Sequence, residues 1–180
     1  MKIVLATPLY PPDIAPPAPY VKELAKRLAG SHQVTIVTYG TLPEQVAGVH
    51  ITAIPKSQML PVRLTKYTWE LLQEARRADA VYAQNGASVE LPLLLISFFT
   101  ATPIVLCFGD VAAHERIKSH PILRFIEHVT QARAKQVVST LPPPRPVILP
   151  LEPRPEQELL AYEMSWRNHI EKLERIFVTV

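Results

Sequence analysis

Lys2-Ile-Val-Leu-Ala-Thr7, then Tyr10-Pro-Pro-Asp-Ile14, then Tyr20-Val-Lys-Glu-Leu-Ala-Lys-Arg-Leu28: this opening stretch decides the fold. A short apolar run that starts almost at residue 1 reads as a strand buried on both faces, as strands of parallel sheets are. After the proline-rich loop, Tyr20, Val21, Leu24 and Leu28 fall on one helical stripe, and Gly30 closes the helix. The loop between strand and helix contains no glycine.

Working outward, the same alternation continues. Gln33–Thr38 and Val49–Ile54 are β-branched runs bounded by turn residues, as strands are. Leu64, Tyr67, Leu71 and Ala75 mark a helix whose other side carries Lys66, Glu70, Arg76 and Arg77. Asp79–Ala83 is a short apolar strand, followed by the turn Gln84-Asn85-Gly86 and a helix over Ser88–Thr100. Pro103–Phe108 is the next strand, ending at Gly109-Asp110. A helix over Pro121–Arg133 is expected to turn Ile122, Phe125, Ile126 and Val129 inward. Gln136–Ser139 and Val147–Leu149 read as the last strands. Repeated βα units predict an α/β fold: a single Rossmann-like domain over residues 1–150, with a parallel sheet and helices on both faces. In such a sheet ligands gather at the carboxyl ends of the strands, so the loops after Thr7, Ala83 and Phe108 share one rim.

The tail is different. Prolines at 142, 143, 144, 146, 150, 153 and 155 make a connector that cannot continue a helix. Beyond it Leu159, Tyr162, Trp166, Ile170, Leu173 and Phe177 recur at helical spacing, with Glu163–Arg167 and Glu171–Arg175 as i,i+4 pairs. Residues 151–180 are therefore expected to be a linker and a helix packed on the domain.

A chain of 180 residues, 48% apolar and 19% charged, can bury one good core. A net charge of +3 gives a mildly basic surface, suited to an anionic ligand or lipid surface and short of a nucleic-acid signature. Cys107 is the only cysteine, which excludes an internal disulfide, and its apolar surroundings mark a packed thiol rather than a nucleophile. Met1–Leu9 has no basic region followed by a long apolar stretch, and Leu91–Phe99 is far shorter than a membrane span of about 20 residues. The expected location is cytoplasmic, with peripheral contact at the inner membrane face.

The wording YPPDI…PA-x-YV-x-ELAKRL resembles the start of the N-terminal domain of glycosyltransferase family 4, the retaining sugar transferases of GT-B architecture. The likeness continues through ADAVYAQNGASVELPLLL and TPIVLCFGD and covers about residues 1–140. The string SW-x3-I-x-KLERIF is similar to the last helix of full-length members, which crosses back onto the N-terminal domain. The resemblance implies one of two Rossmann-like halves, the acceptor-side half, with its crossing helix kept and the intervening domain deleted. In the family the first loop reads Gly-Gly where Ala15 and Pro16 stand here. Ala15 adds a methyl, and Pro16 and Pro17 remove two N–H donors, which weakens a phosphate cradle at that place.

Four residues are candidates for acceptor or ligand binding. Asp13 lies in the first loop, where it either faces the cleft or is simply solvated. Asn85 either contacts a ligand or accepts left-handed geometry in an Asn-Gly turn. Asp110 either orients a hydroxyl or caps the following helix. His114 lies where family members often have a cleft histidine, although His120 and His128 follow and no motif selects among them. No catalytic residue is identified. No zinc spacing, P-loop, G-x-S-x-G or G-x-G-x-x-G occurs, so no metal site or bound cofactor is expected. Arg116, Lys118, Arg124, Arg133 and Lys135 make the later region basic, which suits an anionic membrane if they lie beside exposed apolar groups.

These readings converge on a half-domain without transfer activity of its own, one subunit of a split enzyme. A nucleotide sugar would be the donor only when a separate donor-binding glycosyltransferase subunit is present. The alternatives are a non-catalytic binding or scaffold protein derived from the same fold, and a small Rossmann-like enzyme acting on an unrelated anionic substrate. An exposed apolar face where a second domain docks distinguishes the split enzyme from the solitary scaffold.

Overall fold

The strand–helix alternation resolves into one twisted parallel sheet. In the computed structural model, which describes residues 1–15, 17–108, 120–138 and 156–180, the strands are β1 (Lys2–Ala6), β2 (Gln33–Tyr39), β3 (Val49–Ile54), β4 (Ala80–Gln84), β5 (Ile104–Cys107) and β6 (Gln136–Val138). The described helices are α1 (Pro17–Leu28), α2 (Leu60–Ala75), α3 (Ala87–Ile96), α4 (Pro121–Arg133) and α5 (Glu156–Thr179). The sheet order is β3-β2-β1-β4-β5-β6, with every pairing parallel. Ile3 pairs with both Val34 and Ala80, so β1 is the central seam from which the two halves of the chain wind outward.

Two apolar layers cover the two faces. On one, Tyr20, Val21, Leu24 and Leu28 of α1 and Trp166, Leu173, Ile176 and Phe177 of α5 pack on Ile3, Leu5, Ile36 and Tyr82. On the other, Tyr67, Leu71 and Ala75 of α2 and Val89, Leu93 and Ile96 of α3 pack on Val4, Ala6, Val37, Val81 and Leu106. The period-two alternation of β1 sends Ile3 and Leu5 to one layer and Val4 and Ala6 to the other. α5 therefore packs on the domain as its periodicity predicts.

Local sequence accounts for several details. Pro61 sits in the first turn of α2, where a missing N–H costs nothing. Pro92 sits inside α3 and cannot donate to the carbonyl of Ser88. Tyr39 takes that carbonyl instead, donating its hydroxyl at 2.8 Å. α3 stops at Ile96, earlier than the pattern suggests, in a turn that mixes i→i−3 bonds, Phe98 to Leu95 (3.3 Å) and Phe99 to Ile96 (2.8 Å), with i→i−4 bonds from Ser97 and Thr100.

Two expectations are corrected and one is extended. In α4 Ile122 and Phe125 are 74% and 67% exposed, while Glu127 and Thr130 are buried. α4 flanks α3, so its buried edge is the one facing α3, where the Thr130 hydroxyl lies 3.2 Å from the Glu90 carbonyl. Glu163 takes a bidentate bond from Arg27 of α1, with both contacts at 2.8 Å, beside the favourable charge of Arg167. Asn85 does not adopt left-handed geometry; the positive φ of that turn belongs to Gly86. The strand expected at Val147–Leu149 and the strand end at Gly109-Asp110 lie outside the described residues.

Candidate functional site

The sheet order reverses between β1 and β4, and the carboxyl ends of β1, β4 and β5 open there onto one rim. The loop from β1 to α1 borders it. Helix N-termini and glycine-rich loops bind phosphate through free backbone N–H groups. In residues 8–18 the prolines at 8, 11, 12, 16 and 17 have none. The amides of Leu9, Tyr10, Asp13 and Ala18 are spent inside the loop, on Thr7 Oγ1 (3.3 Å), Asp13 Oδ2 (3.3 Å), the Tyr10 carbonyl (3.1 Å) and the Ala15 carbonyl (2.9 Å). Among the described residues of this span, that leaves Ile14 and Ala15 as backbone donors.

The loop is pinned to its neighbours instead. Both carboxylate oxygens of Asp13 accept from Lys56, at 2.7 and 2.6 Å, tying the β1–α1 loop to the segment after β3. Glu44 N donates to the Pro11 carbonyl at 3.1 Å, and Lys22 pairs with Glu44. Tyr10 is buried, its hydroxyl has no partner among the described residues, and burial with the nearby Glu44 charge pushes its pKa up to about 12.

The β4–α3 turn supplies the buried polar groups. The Thr7 hydroxyl donates to Gln84 Oε1 at 2.7 Å, joining the ends of β1 and β4. Asn85 is buried and its N–H donates to the Cys107 carbonyl at 2.9 Å, joining β4 to β5. Gly86 has φ 146° and ψ 134°, and a Cβ there would stand 3.4 Å from Pro8 Cγ. That backbone region is open essentially to glycine alone, and the close approach holds the turn against the first loop. The Gly86 amide donates to Glu90 Oε1 at 3.2 Å, and Glu90 is fully buried. Glu127 is buried across the α3–α4 seam.

Chemically, this end of the sheet is built of buried amide and carboxylate groups that bond to one another and to the backbone, and the first loop beside it offers few free backbone N–H groups to an anion. Of the sequence candidates, the structure brings Asn85 to the rim beside Thr7, Gln84 and Glu90, and commits Asp13 to Lys56. Asp110 and His114 lie outside the described residues. Cys107 is buried, and burial raises its pKa, as for a packed thiol. Sequence reasoning missed Thr7, Gln84, Glu90 and Glu127. Glu90 had a legible signal: it is the only charged residue in Ala87–Ile96, a mostly apolar helix, and a buried acid must be paired or hydrogen-bonded. Among the described residues no group of three or more His, Cys, Asp and Glu side chains is arranged to hold a metal ion. An open cleft of about 610 Å³ lined by Lys2, His32, Arg77 and Asp79 lies at the amino ends of the strands, away from this rim.

Comparison with known proteins bears on this arrangement. Residues 17–144 match the model of the glycosyl transferase 4-like domain. Among solved structures, the chain is similar to Anabaena Alr3699/HepE in complex with UDP, at 19% identity and a TM-score of 0.52, covering 76% of this chain and 37% of that one. The same protein in complex with UDP and glucose gives 18% identity, a TM-score of 0.52 and the same coverage. These likenesses show the fold, and the aligned part spans little over a third of those chains. No curated protein matches the chain.

Proposed function

The chain belongs to the glycosyl transferase 4-like domain family, and we propose that it is the acceptor-side half of a sugar transferase, inactive until a separate donor-binding domain closes over its rim. The observation that carries this reading is the amide accounting of the first loop. With five prolines and four internally spent N–H groups between residues 8 and 18, the loop cannot cradle a diphosphate. Charge developing on the leaving diphosphate of a nucleotide sugar then has to be stabilised by groups from another domain.

A second observation favours a docked partner over a solitary scaffold. Ile14, Leu42 and Met59 are 90%, 82% and 74% exposed, one on each loop that follows β1, β2 and β3. Those strands are neighbours in the sheet, so three large apolar side chains line one side of the rim. Such a set is what a docking domain covers. In this reading the nucleotide sugar is a substrate of the assembled enzyme, and this half holds no cofactor of its own.

Thermal melting of the chain alone against UDP-, GDP- and ADP-sugars tests the assignment. A ligand at about a hundred times its dissociation constant stabilises a fold by roughly 2.7 kcal/mol, so even modest binding is visible. The expected result is no shift, with sugar transfer appearing when a donor-binding glycosyltransferase domain is added. A clear shift for the chain alone would overturn the reading. Absence of transfer with every donor domain tried, together with ligand-free association, would turn the conclusion to the scaffold alternative.

A further inference from the structure

We propose that the outer face of the α2–α3–α4 layer docks on an anionic lipid surface. The layer exposes five large apolar side chains: Trp69 at 59%, Phe98 at 61%, Phe99 at 64%, Ile122 at 74% and Phe125 at 67%. Trp69 is on α2, Phe98 and Phe99 follow α3 directly, and Ile122 and Phe125 are on α4, so all three helices contribute. Four of the five are aromatic, the type that settles at the headgroup level of a bilayer.

Charge selects the occupant. On these helices and the turns that follow them, Lys66, Arg76, Arg77, Arg124, Arg133 and Lys135 are exposed. The acids of the same stretches are mostly withdrawn: Glu90 and Glu127 are buried, Glu70 and Glu74 are half-buried, and among the described residues Asp79, in the turn after α2, is the one exposed acid against six exposed cations. The opposite layer shows no such bias. There the exposed cations Lys26, Arg167, Lys172 and Arg175 are matched by the exposed acids Glu156, Glu158, Glu163 and Glu171. Arg133 also joins the two kinds of group, with its guanidinium 4.1 Å from the centre of the Phe98 ring and hydrogen bonds to the Ser97 hydroxyl (2.7 Å) and carbonyl (2.9 Å). A basic apolar face with six exposed cations to one exposed acid matches phosphatidylglycerol-type headgroups above acyl chains. No described helix is long and apolar enough to cross a membrane, so contact at this face is peripheral.

The two tryptophans make the test direct, because Trp69 is on the proposed face while Trp166 is fully buried under the opposite one. Mixed phosphatidylglycerol–phosphatidylcholine vesicles should shift the emission of the whole protein to the blue and carry it down on sedimentation. Trp69→Phe should abolish the emission change while leaving sedimentation in place. Reversal to Glu at Lys66 or Arg124 should weaken sedimentation by at least about fivefold per site, and added salt should do the same. Phe98→Ser with Phe99→Ser should weaken it further; all these side chains are exposed, so the fold is left intact. Equal binding to pure phosphatidylcholine would overturn the charge argument, and no binding at low salt would overturn the proposal outright. A blue shift without lipid that tracks protein concentration, with a dimer in ultracentrifugation, would assign the face to a second copy instead. Vesicle binding does not require sugar transfer, so its failure leaves the half-enzyme reading standing and its success does not establish it.

Discussion

Acid should loosen the contact between α5 and the rest of the domain, and His169 sets where. Its Nε2 lies 2.8 Å from the Tyr20 hydroxyl, which is 3.0 Å from the Tyr82 hydroxyl, and Tyr82 is hydrogen-bonded in turn to Cys107. The chain of bonds is coherent when His169 is neutral: the thiol donates to Tyr82, Tyr82 to Tyr20, and Tyr20 to the imidazole. A protonated ring has two N–H donors and no acceptor, so the chain would have to reverse and end on a thiol sulfur, a weak acceptor. Burial, with the Lys172 charge adding to it, lowers the His169 pKa from 6.5 to about 4.

The sign follows from proton counting. Between about pH 6.5 and 4 the unfolded chain binds a proton at His169 that the folded chain refuses, so stability is full above this window and is lost as pH falls through it. Taken whole, the displacement corresponds to about 3.4 kcal/mol; the ring is only half-buried, and solvent screening reduces the expected contribution to about 1–2 kcal/mol. Urea unfolding of the wild type and of His169→Gln at a series of pH values measures it. Gln keeps an acceptor for Tyr20 and cannot titrate, so the variant should be flatter by that amount across the window. Glu163, whose pKa is lowered by Arg27, loses its contribution as pH falls from the ordinary carboxylate value toward its lowered one, and because both proteins keep it, it cancels in the comparison. Parallel curves for the two proteins would refute the reasoning.

Other substitutions test other joints. Trp166→Ala should cost about 3–5 kcal/mol, because it empties a fully buried site where the ring stacks on Tyr20 at 5.7 Å and carries Arg27 over its face; chemical denaturation checks it. Gly86→Ala should cost about 1–3 kcal/mol from its φ of 146° alone, before the contact with Pro8, and a lowered melting temperature would report it. Asp13→Ala should change stability by less than about 1 kcal/mol, since the pair with Lys56 is exposed, and a larger loss in urea unfolding would give the rim tie a bigger role than its exposure allows.

The fold was legible because its periodicities are strong. Alternation in β1 and the stripes of α1, α2 and α5 each report burial on a defined side, and burial is what the sheet architecture demands. α4 misled for the same reason. Its apolar period is real, yet a flanking helix buries the edge that meets its neighbour, and no single helix states which edge that is. The site was less legible. Asn85 was readable from its turn, but the pairing of Asp13 with Lys56 links residues 43 apart in sequence, and the bond from Thr7 to Gln84 spans 77. Such contacts are set by strand order, which the linear pattern does not specify.

The prolines that disable the first loop as a phosphate cradle also make it a rigid surface. A proline restricts φ to near −65°, and the described part of the loop is tied to its neighbours by Asp13–Lys56, by the Glu44 amide on the Pro11 carbonyl and by Gly86 against Pro8. α1 leaves this loop at Pro17, and one turn later Tyr20 is held between Trp166 of α5 and Tyr82 of β4. The C-terminal helix thus fixes the helix that fixes the rim. On the proposed function, a partner meeting such a surface would lose little entropy in ordering it, and exposed Ile14, Leu42 and Met59 are the side chains it would cover. A catalytic loop that must close on a diphosphate needs the opposite properties, mobile backbone and free amides. The same residues that argue against donor chemistry in this chain therefore argue for docking of the domain that would supply it.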